Sequence, residues 1–501
     1  MTTQIVLLGT AAVFAATATF AEATTLAATD RTPKVLLVGI DGLRSDAMVA
    51  ARTPAIDALA ADGCLALDAA TSRETVSGPS WSNVLCGVWP DKHRVVDNRF
   101  LISDYEAYPS VFTLIKRADP ARRTAMFANW GPIGERILKN DPIDEKVSRA
   151  DTNDDAPQVA ACERALATGD ADFTFAYLGR VDETGHRFGF HADSPTYLEA
   201  IELADAQLGR LLAAIDARAT RGREDWLVIL VTDHGGTVDL NHGRDIPEHR
   251  LHPFLVSGDA AAKGTLHGTV NQVDAVATAL AHLGIAVDPA WDLDSRPVGL
   301  ARDLAPERLV GTNLVFNGGG EHASPAKDPK GNRGVSGWTD LGAATTLAYG
   351  AHADYPTADT PGAPTRGRAF LVGGEAGESR LTQRVDLSSL AAEIDAGALD
   401  YALSAWLGGF ARQRDLAWVE LSWLDARGGV CARDRLRAAT MEERVAAFGE
   451  ENATGFLERR STGAVPRDAR VAEIVVRFER SEGACDGYAD EVSLVLSRRG
   501  G

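Results

Sequence analysis

Positive charge is in deficit in this sequence. Lys and Arg number 51 against 70 Asp and Glu, giving a formal net charge of −19 and a sequence pI of about 5.1. An acidic chain repels a phosphate backbone, which excludes docking on nucleic acid as a main function. A positive pocket created locally by bound metal is still compatible with that charge. Cysteine is sparse too. Cys64, Cys86, Cys162, Cys431 and Cys485 follow no zinc-knuckle or redox-pair spacing. Long apolar runs are missing: Ile5–Phe20 is short for a bilayer span and no later segment is apolar enough, so a membrane-spanning helix is excluded. No solenoid-type repeat is present.

The N-terminal apolar run reads instead as an export signal. It is alanine-rich and ends in Ala21-Glu22-Ala23, a small-x-small cleavage site. Residues 1–23 are therefore expected to be a signal peptide, Thr24 the first mature residue, and the protein exported (secreted or extracytoplasmic). The departure from type is the lack of Lys or Arg in the first four residues. Export would permit disulfides. Cys431 with Cys485 and Cys64 with Cys86 are candidate pairs, although connectivity does not follow from sequence.

A chain of 501 residues exceeds one compact domain, and 45% hydrophobic residues supply apolar material for two cores. From Lys34 to about Val298, strand-like and helix-like patterns alternate. Lys34–Ile40, Phe173–Leu178 and Trp226–Thr232 are continuous apolar runs that fit strands buried on both faces. Tyr197–Ile215 carries a broad apolar face at helical spacing. This alternation predicts an α/β domain over 34–300, a parallel-type sheet sandwiched by helices. Leu300–Leu309 is a charged, proline-containing connector. Beyond it the apolar period becomes two: Ala417, Val419, Leu421 and Trp423 share a face, as do Ala472, Ile474, Val476 and Phe478, and then Val492, Leu494 and Leu496. That pattern predicts an antiparallel β-sandwich over 313–501.

Several short motifs fall where chemistry would sit on such a sheet, beyond the carboxyl ends of strands. Asp41-Gly42 follows the first strand; alone it would be an ordinary turn. Ser77-Gly78-Pro79-Ser80-Trp81 precedes a helix expected to start after Pro79. Ser77 is there either an N-cap or, with a lowered pKa, a nucleophile beside a helix N-terminus that favours anions. Asp182-x-x-Gly185-His186 places Asp and His four apart, and Asp233-His234-Gly235 ends a strand. His242-Gly243 lies eight residues after His234. A lone His or Asp-His pair is commonly structural. Here three acids follow apolar strands, and six of the eleven histidines lie between His186 and His252. Nitrogen and oxygen donors in such numbers suit zinc.

In order and rough spacing, Ile40-Asp41-Gly42-Leu43-Arg44, Ser77-x-Pro79, Gly87-x-x-Pro90-x-x-His93, Asp182-x-x-Gly185-His186 and Asp233-His234-Gly235 resemble the alkaline phosphatase superfamily. Within it they resemble the type I phosphodiesterase/nucleotide pyrophosphatase family, over about residues 34–260. The resemblance implies an alkaline-phosphatase-like fold and two zinc ions, with manganese or another divalent ion left open. One ion would be held by Asp41, Asp233 and His234 beside Ser77. The other would be held by Asp182, His186 and a third histidine, His242 in preference to His249 and His252. It also implies a phosphoserine intermediate at Ser77 and an asparagine near the phosphate, matched by Asn98, whose amide would donate to a non-bridging oxygen. The expected substrate is a small phosphate ester.

Two departures bear on the ester. Many phosphodiesterase relatives carry threonine at the Ser77 position. Nucleotide-hydrolysing relatives usually carry a long insertion where only Gly235–Asn241 separates the Asp-His pair from His242, so nucleotide specificity does not carry over. Monoesterases add cationic groups; the candidates are Lys92, Arg99 and Arg180, with Arg44 a surface or salt-bridging residue. Arg99 adjoins Asn98, and on a strand the two would point to opposite faces. No clear cationic device is legible, which favours diesters over an alkaline-phosphatase-like monoesterase. Ser77-Gly78-Pro79-Ser80 also resembles a sulfatase signature, but Trp81 stands where that signature has arginine. In the C-terminal region, Asn313–Glu321, Gln383–Leu387, Ala398–Phe410 and Gly487–Leu496 resemble jelly-roll modules of secreted enzymes. That resemblance implies a carbohydrate or calcium ligand, with Glu321 and Asp490 as candidate calcium donors; a packing module without ligand fits equally.

Overall fold

Alternate residues of the first strand belong to two different cores. In β1 (Thr32–Ile40), Val35 and Leu37 pack into one cluster with Phe112, Val276 and Leu280, while Leu36, Val38 and Ile40 pack into another with Tyr197, Ile201, Leu208 and Leu211. A strand covered on both faces has no polar side to present, hence its continuous apolar run. The computed structural model describes residues 31–322, 325–327, 334–353, 355–449, 453–481 and 483–499. The expected signal peptide, 1–23, lies outside the described residues.

The first sheet has eight strands: β1, β2 (Gly63–Ala70), β3 (Thr124–Ala128), β4 (Glu145–Ser148), β5 (Phe173–Leu178), β6 (Glu224–Val231), β7 (Leu251–Ser257) and β8 (Gly264–Thr265). Their order is β4-β3-β5-β1-β6-β7-β2-β8. The pairs from β4 to β6 are parallel, whereas β7 runs antiparallel to both β6 and β2. Helices Ser77–Cys86, Val111–Ala118 and Asp274–His282 contribute to the core on one face; Ala156–Thr168, Arg180–Phe188 and Pro195–Asp216 contribute to the other. The expected α/β architecture is borne out, with one antiparallel strand inside a parallel-dominant sheet.

Register decides where the site lies. Ile40 pairs with Leu178 and Gly39 with Val231, so the adjacent strands β5, β1 and β6 end at one level. Each is followed within a few residues by an acid: Asp182, Asp41 and Asp233. Three parallel strands thus deliver three carboxylates to one edge.

The first core ends with Leu300, two short turns follow (Ala301–Leu304 and Pro306–Leu309), and Leu309 already belongs to the second core. The remaining strands are β9 (Thr339–Leu341), β10 (Thr345–Ala348), β11 (Ala369–Gly374), β12 (Glu378–Asp386), β13 (Leu399–Gly409), β14 (Leu416–Leu424), β15 (Val430–Leu436), β16 (Gly455–Ala464), β17 (Val471–Glu479) and β18 (Cys485–Arg498). They form two five-stranded antiparallel sheets, β10-β11-β18-β13-β16 and β15-β14-β17-β12-β9. Leu403, Leu407 and Leu494 of one sheet meet Val419, Leu421 and Ile474 of the other in a single cluster. Period-2 patterning fixed this arrangement, since one face of each strand must be apolar. Trp423 is core, whereas Trp418 lies on the opposite face beneath the Arg435 guanidinium, 4.9 Å from the ring centre.

Three local expectations are corrected. All five cysteines are free: Cys64, Cys86, Cys162 and Cys485 are buried singly among apolar neighbours and Cys431 is exposed, so the suggested pairs do not form. The helix begins at Ser77 with Val76 as its N-cap, so Pro79 lies inside the first turn, where its missing N–H leaves no bond unmade. Asn98 and Arg99 lie in a turn, where the two-sided alternation of a strand does not apply. Among the described residues no helix is long and apolar enough to cross a membrane.

Gly39 connects strand to site. A Cβ there would lie 2.3 Å from the Trp81 ring, which packs on β1 and extends towards Asp41. Gly39→Ala is expected to cost about 1–3 kcal/mol through overpacking. Chemical denaturation checks it, and the loss should shrink when Trp81 is also replaced by Phe.

Candidate active site

Asp41 leaves β1 in a turn that only glycine completes well. Gly42 has φ +66, and a Cβ on it would lie 2.8 Å from Asp182 Oδ1. Both facts require glycine: the left-handed backbone and the close approach of a second acid. The Gly42 N–H donates to Asp233 Oδ1 at 3.0 Å, tying the β1 turn to the end of β6. Asp41 Oδ2 accepts from Tyr177 Oη at 2.6 Å and from Trp81 Nε1 at 2.9 Å. Neither residue was singled out in the sequence as a partner of Asp41. Tyr177 reads as one more apolar position of a buried strand, and only the fold turns its hydroxyl towards the acid.

Ligand atoms of three His, Cys, Asp or Glu residues come together at two places among the described residues: Asp41, Asp233 and His234, and Asp182, His186 and His242. These are the two sets the family resemblance implied, with His242, the histidine preferred there, in the last place. In the first, which is fully buried, His234 Nε2 stands 3.1 Å from Asp233 Oδ2 and 3.8 Å from Asp41 Oδ1. In the second, nearer solvent, His186 Nε2 is 3.4 Å from Asp182 Oδ2 and His242 Nε2 is 3.8 Å from Asp182 Oδ1. His249 is engaged elsewhere: its Nδ1 accepts from Arg244 N, and Thr237 Oγ1 lies 3.2 Å from its Nε2. His252 is buried, with Nδ1 on the Pro253 carbonyl.

The three clustered histidines are oriented alike. Nδ1 of His234, His186 and His242 donates to the carbonyls of Gly235, Leu240 and Thr75, at 2.9, 2.9 and 2.8 Å. A carbonyl only accepts, so each Nδ1 carries the proton and each Nε2 presents a lone pair to the site. His186 Nε2 and His242 Nε2 then face each other at 3.1 Å with two lone pairs and no proton between them. The acids pose the same problem. Asp41 Oδ1, Asp182 Oδ1 and Asp233 Oδ2 are buried without a hydrogen bond from any described residue. Converging lone pairs and unpartnered carboxylate oxygens are donors that a cation could bridge, so the donor set fits two metal ions.

Charge gives the same reading. Burial, then the neighbouring Asp233, pushes Asp41 well above the usual carboxylate range; burial and Asp41 do the same to Asp182. Burial and Asp182 raise Asp233 to about 7. Burial lowers His242 to about 4, and burial together with His242 lowers His234 well below its ordinary value.

Ser77 sits at the mouth of the buried cluster, with Oγ 3.4 Å from His234 Nε2. Asn98 is held beside it, its carbonyl oxygen accepting from the Gly78 N–H at 2.6 Å, which leaves the amide Nδ2 as its donor end. The three candidate cations are occupied. Lys92 is buried against Asp292 and Asp294, Arg99 pairs with Asp97, and Arg180 donates to the Asn153 carbonyl. Arg44 bridges Asp46 and the Phe190 and Gly236 carbonyls, a structural role. His93 is buried against Asn83 and Val95.

In the sandwich, Glu321 accepts from the Arg368 and Ala369 N–H groups, and Asp490 from Tyr349 Oη and the Glu491 N–H. A Cβ on Gly319 would lie 2.9 Å from Asp490 Oδ1 and 3.7 Å from Glu321 Cγ, so the two acids flank one glycine.

Residues 35–244 match the model of the type I phosphodiesterase/nucleotide pyrophosphatase family. The resemblance read from the ordered motifs is thereby borne out. The chain is 24% identical over 243 residues to human ectonucleotide pyrophosphatase/phosphodiesterase family member 7, a match covering 44% of this chain and 52% of that protein. It thus spans about half the length of the curated relative it matches. Among solved structures it is similar to murine ectonucleotide pyrophosphatase/phosphodiesterase 5, in an inactive form complexed with AMP, at 17% identity over 51% of this chain and 96% of that one, TM-score 0.42. It is also similar to a 2-O GAG sulfatase at 17% identity over 51% and 72%, TM-score 0.41.

The buried acids make the metal-free chain pH-sensitive. Their folded pKa values lie above the ordinary value of 3.8, with Asp233 at about 7, so these acids bind more protons folded than unfolded up to about pH 7, whereas His234 and His242, held below their ordinary value of 6.5, bind fewer between about 4 and 6.5. Above about pH 6.5 the histidine contribution is gone, and stability of the chelator-stripped protein should fall as pH rises through about 7. Saturating zinc should remove the slope. Urea titrations at several pH values, with and without metal, check both.

Proposed function

We propose, from the family match of residues 35–244 and the two ligand clusters, that this protein is a metal-dependent phosphoric ester hydrolase with Ser77 as nucleophile. The observation that carries the reading is the side-by-side placement of Asp41/Asp233/His234 and Asp182/His186/His242, with Ser77 Oγ 3.4 Å from His234 Nε2. Each trio would hold one divalent cation, zinc by donor type. Such a pair, when bound, supplies charge neutralisation at the attacking and leaving oxygens and lowers the pKa of a hydroxyl at the site.

The chain's own residues do the rest. Ser77 Oγ gives up its proton to solvent and attacks phosphorus; a phosphorus–oxygen bond to Ser77 forms, the bond to the leaving oxygen breaks, and the leaving group takes up a proton from solvent and departs as the alcohol. Water then hydrolyses the phosphoserine and restores the hydroxyl. Asn98 Nδ2 steadies a non-bridging oxygen. Tyr177 and Trp81 hold Asp41, and the Thr75 and Leu240 carbonyls hold His242 and His186 in the tautomer that leaves Nε2 free.

The ester is read as a small phosphodiester. A monoester brings one more negative charge, and the three candidate cations are engaged elsewhere. The sulfatase reading is weakened by Trp81, whose Nε1 is committed to Asp41, and by a second ligand trio that a one-metal enzyme would leave unused. In the sandwich, a calcium ion at Glu321 and Asp490 is supported only by their closeness, since both oxygens of each carboxylate already accept a hydrogen bond. The carbohydrate reading gains nothing from the tryptophans, since Trp423 is core and Trp418 lies beneath Arg435. Export belongs to the proposal through its leader sequence alone.

With saturating zinc, the purified protein should hydrolyse an aryl phosphodiester faster than the matched monoester. Chelation should abolish turnover, and Ser77→Ala should lower it at least about 1,000-fold while leaving the melting curve in place. Unchanged activity in Ser77→Ala would overturn the reading.

A further inference from the structure

The loop that ends in Ser77 is held from outside its own domain. Asp340, on β9 of the sandwich, is buried and its carboxylate accepts from two arginines of the α/β domain: Arg250 Nη2 at 2.5 Å on Oδ1 and Arg73 Nε at 3.0 Å on Oδ2. The Asp340 backbone carbonyl accepts a further bond from Arg250 Nη1 at 2.7 Å, and the Ala344 carbonyl accepts from Arg73 Nη2 at 2.9 Å. Burial pushes the Asp340 carboxyl upward, but Arg250 and Arg73 outweigh it and hold it below its ordinary value.

Each arginine leads into the site. Arg73 precedes Ser77 by four residues. Between them, the Thr75 carbonyl fixes His242 through Nδ1 at 2.8 Å, and Thr75 Oγ1 donates to the Arg244 carbonyl at 3.0 Å. Arg250 follows His249, whose carbonyl receives the N–H of Gly235, directly after His234, at 2.9 Å. Arg250 also returns to the nucleophile loop, donating to the Thr71 carbonyl through Nε at 3.2 Å and Nη2 at 2.9 Å. One carboxylate from the second domain is therefore joined to the segment 71–77 that carries the nucleophile, to the backbone that orients His242, and to the turn that carries His234.

We infer that Asp340 is a positioning residue for this site, so that the sandwich completes the hydrolase rather than riding on it as an appended binding module. The inference rests on the reading of Ser77 as nucleophile. It touches neither substrate nor metal ligand directly; it acts by fixing the loop whose misplacement by about 1 Å costs up to about 100-fold in rate.

The test compares full-length Asp340→Asn, Arg73→Ala and Arg73→Lys with Arg384→Ala, which removes a different bond between the domains, that to Asp68. Turnover of bis(4-nitrophenyl) phosphate at saturating zinc is measured together with hydrogen exchange of residues 71–77. Asp340→Asn and Arg73→Ala should lower kcat about 10- to 100-fold with KM within about twofold, and should raise exchange in 71–77. Arg73→Lys should recover part of the loss, and Arg384→Ala should change neither readout. If Asp340→Asn does not fold, Arg73→Ala decides. An unchanged kcat in folded Arg73→Ala, or an equal loss in Arg384→Ala, overturns the inference. If the wild type hydrolyses no phosphodiester, the functional reading fails on its own; exchange of 71–77 then decides the positioning, unchanged exchange overturning it.

Discussion

Three carboxylates that cannot all be ionised in so small and buried a space set the terms for the rest of this structure. Asp41, Asp182 and Asp233 arrive together because β5, β1 and β6 are adjacent, parallel and in register at their carboxyl ends. Repulsion among buried like charges is severe at low dielectric. Among the described residues no Lys or Arg pairs with these acids to relieve it. The surroundings orient Nε2 lone pairs of His234, His186 and His242 to the same places, which adds electron density instead of cancelling it. Protons on the acids or metal cations between the donors relieve that combination, which is why the site is costly to the bare chain as pH rises.

The support around these groups is made largely of backbone. Gly235, Leu240 and Thr75 carbonyls fix three imidazoles, and the Gly42 and Gly78 N–H groups fix Asp233 and Asn98. Backbone partners cannot rotate away, so side-chain geometry is inherited from strand ends and from one helix start. Gly39 and Gly42 belong to this economy of space: the first makes room for Trp81 to reach Asp41, the second for Asp182 to approach the β1 turn.

The second domain enters through an ion pair of a kind that surface bridges do not resemble. Arg250 and Asp340 are both buried, and removing one partner would strand the other's charge. A contact of that type resists sliding and fixes register between the domains. It sits at the end that β2 and β7 share, where the chain leaves β2 for Ser77 and enters β7 from His249, so registration of the two domains and registration of the site are one matter.

Much of this was legible in the sequence because it is local. Continuous apolar runs at Lys34–Ile40 and Phe173–Leu178 specify strands buried on both faces, alternation at Leu416–Leu424 specifies a half-buried one, and an acid just after a run lies at the sheet's edge whatever the rest of the chain does. The resemblance of the ordered motifs to the phosphodiesterase family implied both ligand trios, with His242 preferred over His249 and His252 for the last place. What sequence left open were contacts between segments distant along the chain. His242, His249 and His252 are equivalent as residue types; loop closure over Gly235–Asn241 places His242 against His186 and turns His249 to Arg244 and Thr237. Cys64 and Cys86 carry no mark of being apart, and Lys92 reads as an available cation until Asp292 and Asp294 enclose it. Asp340 has no signal at all, because its meaning lies in Arg73 and Arg250. A strand's burial pattern is written by its own side chains, whereas a partner across the fold is chosen only when the whole chain has folded and brought the two together.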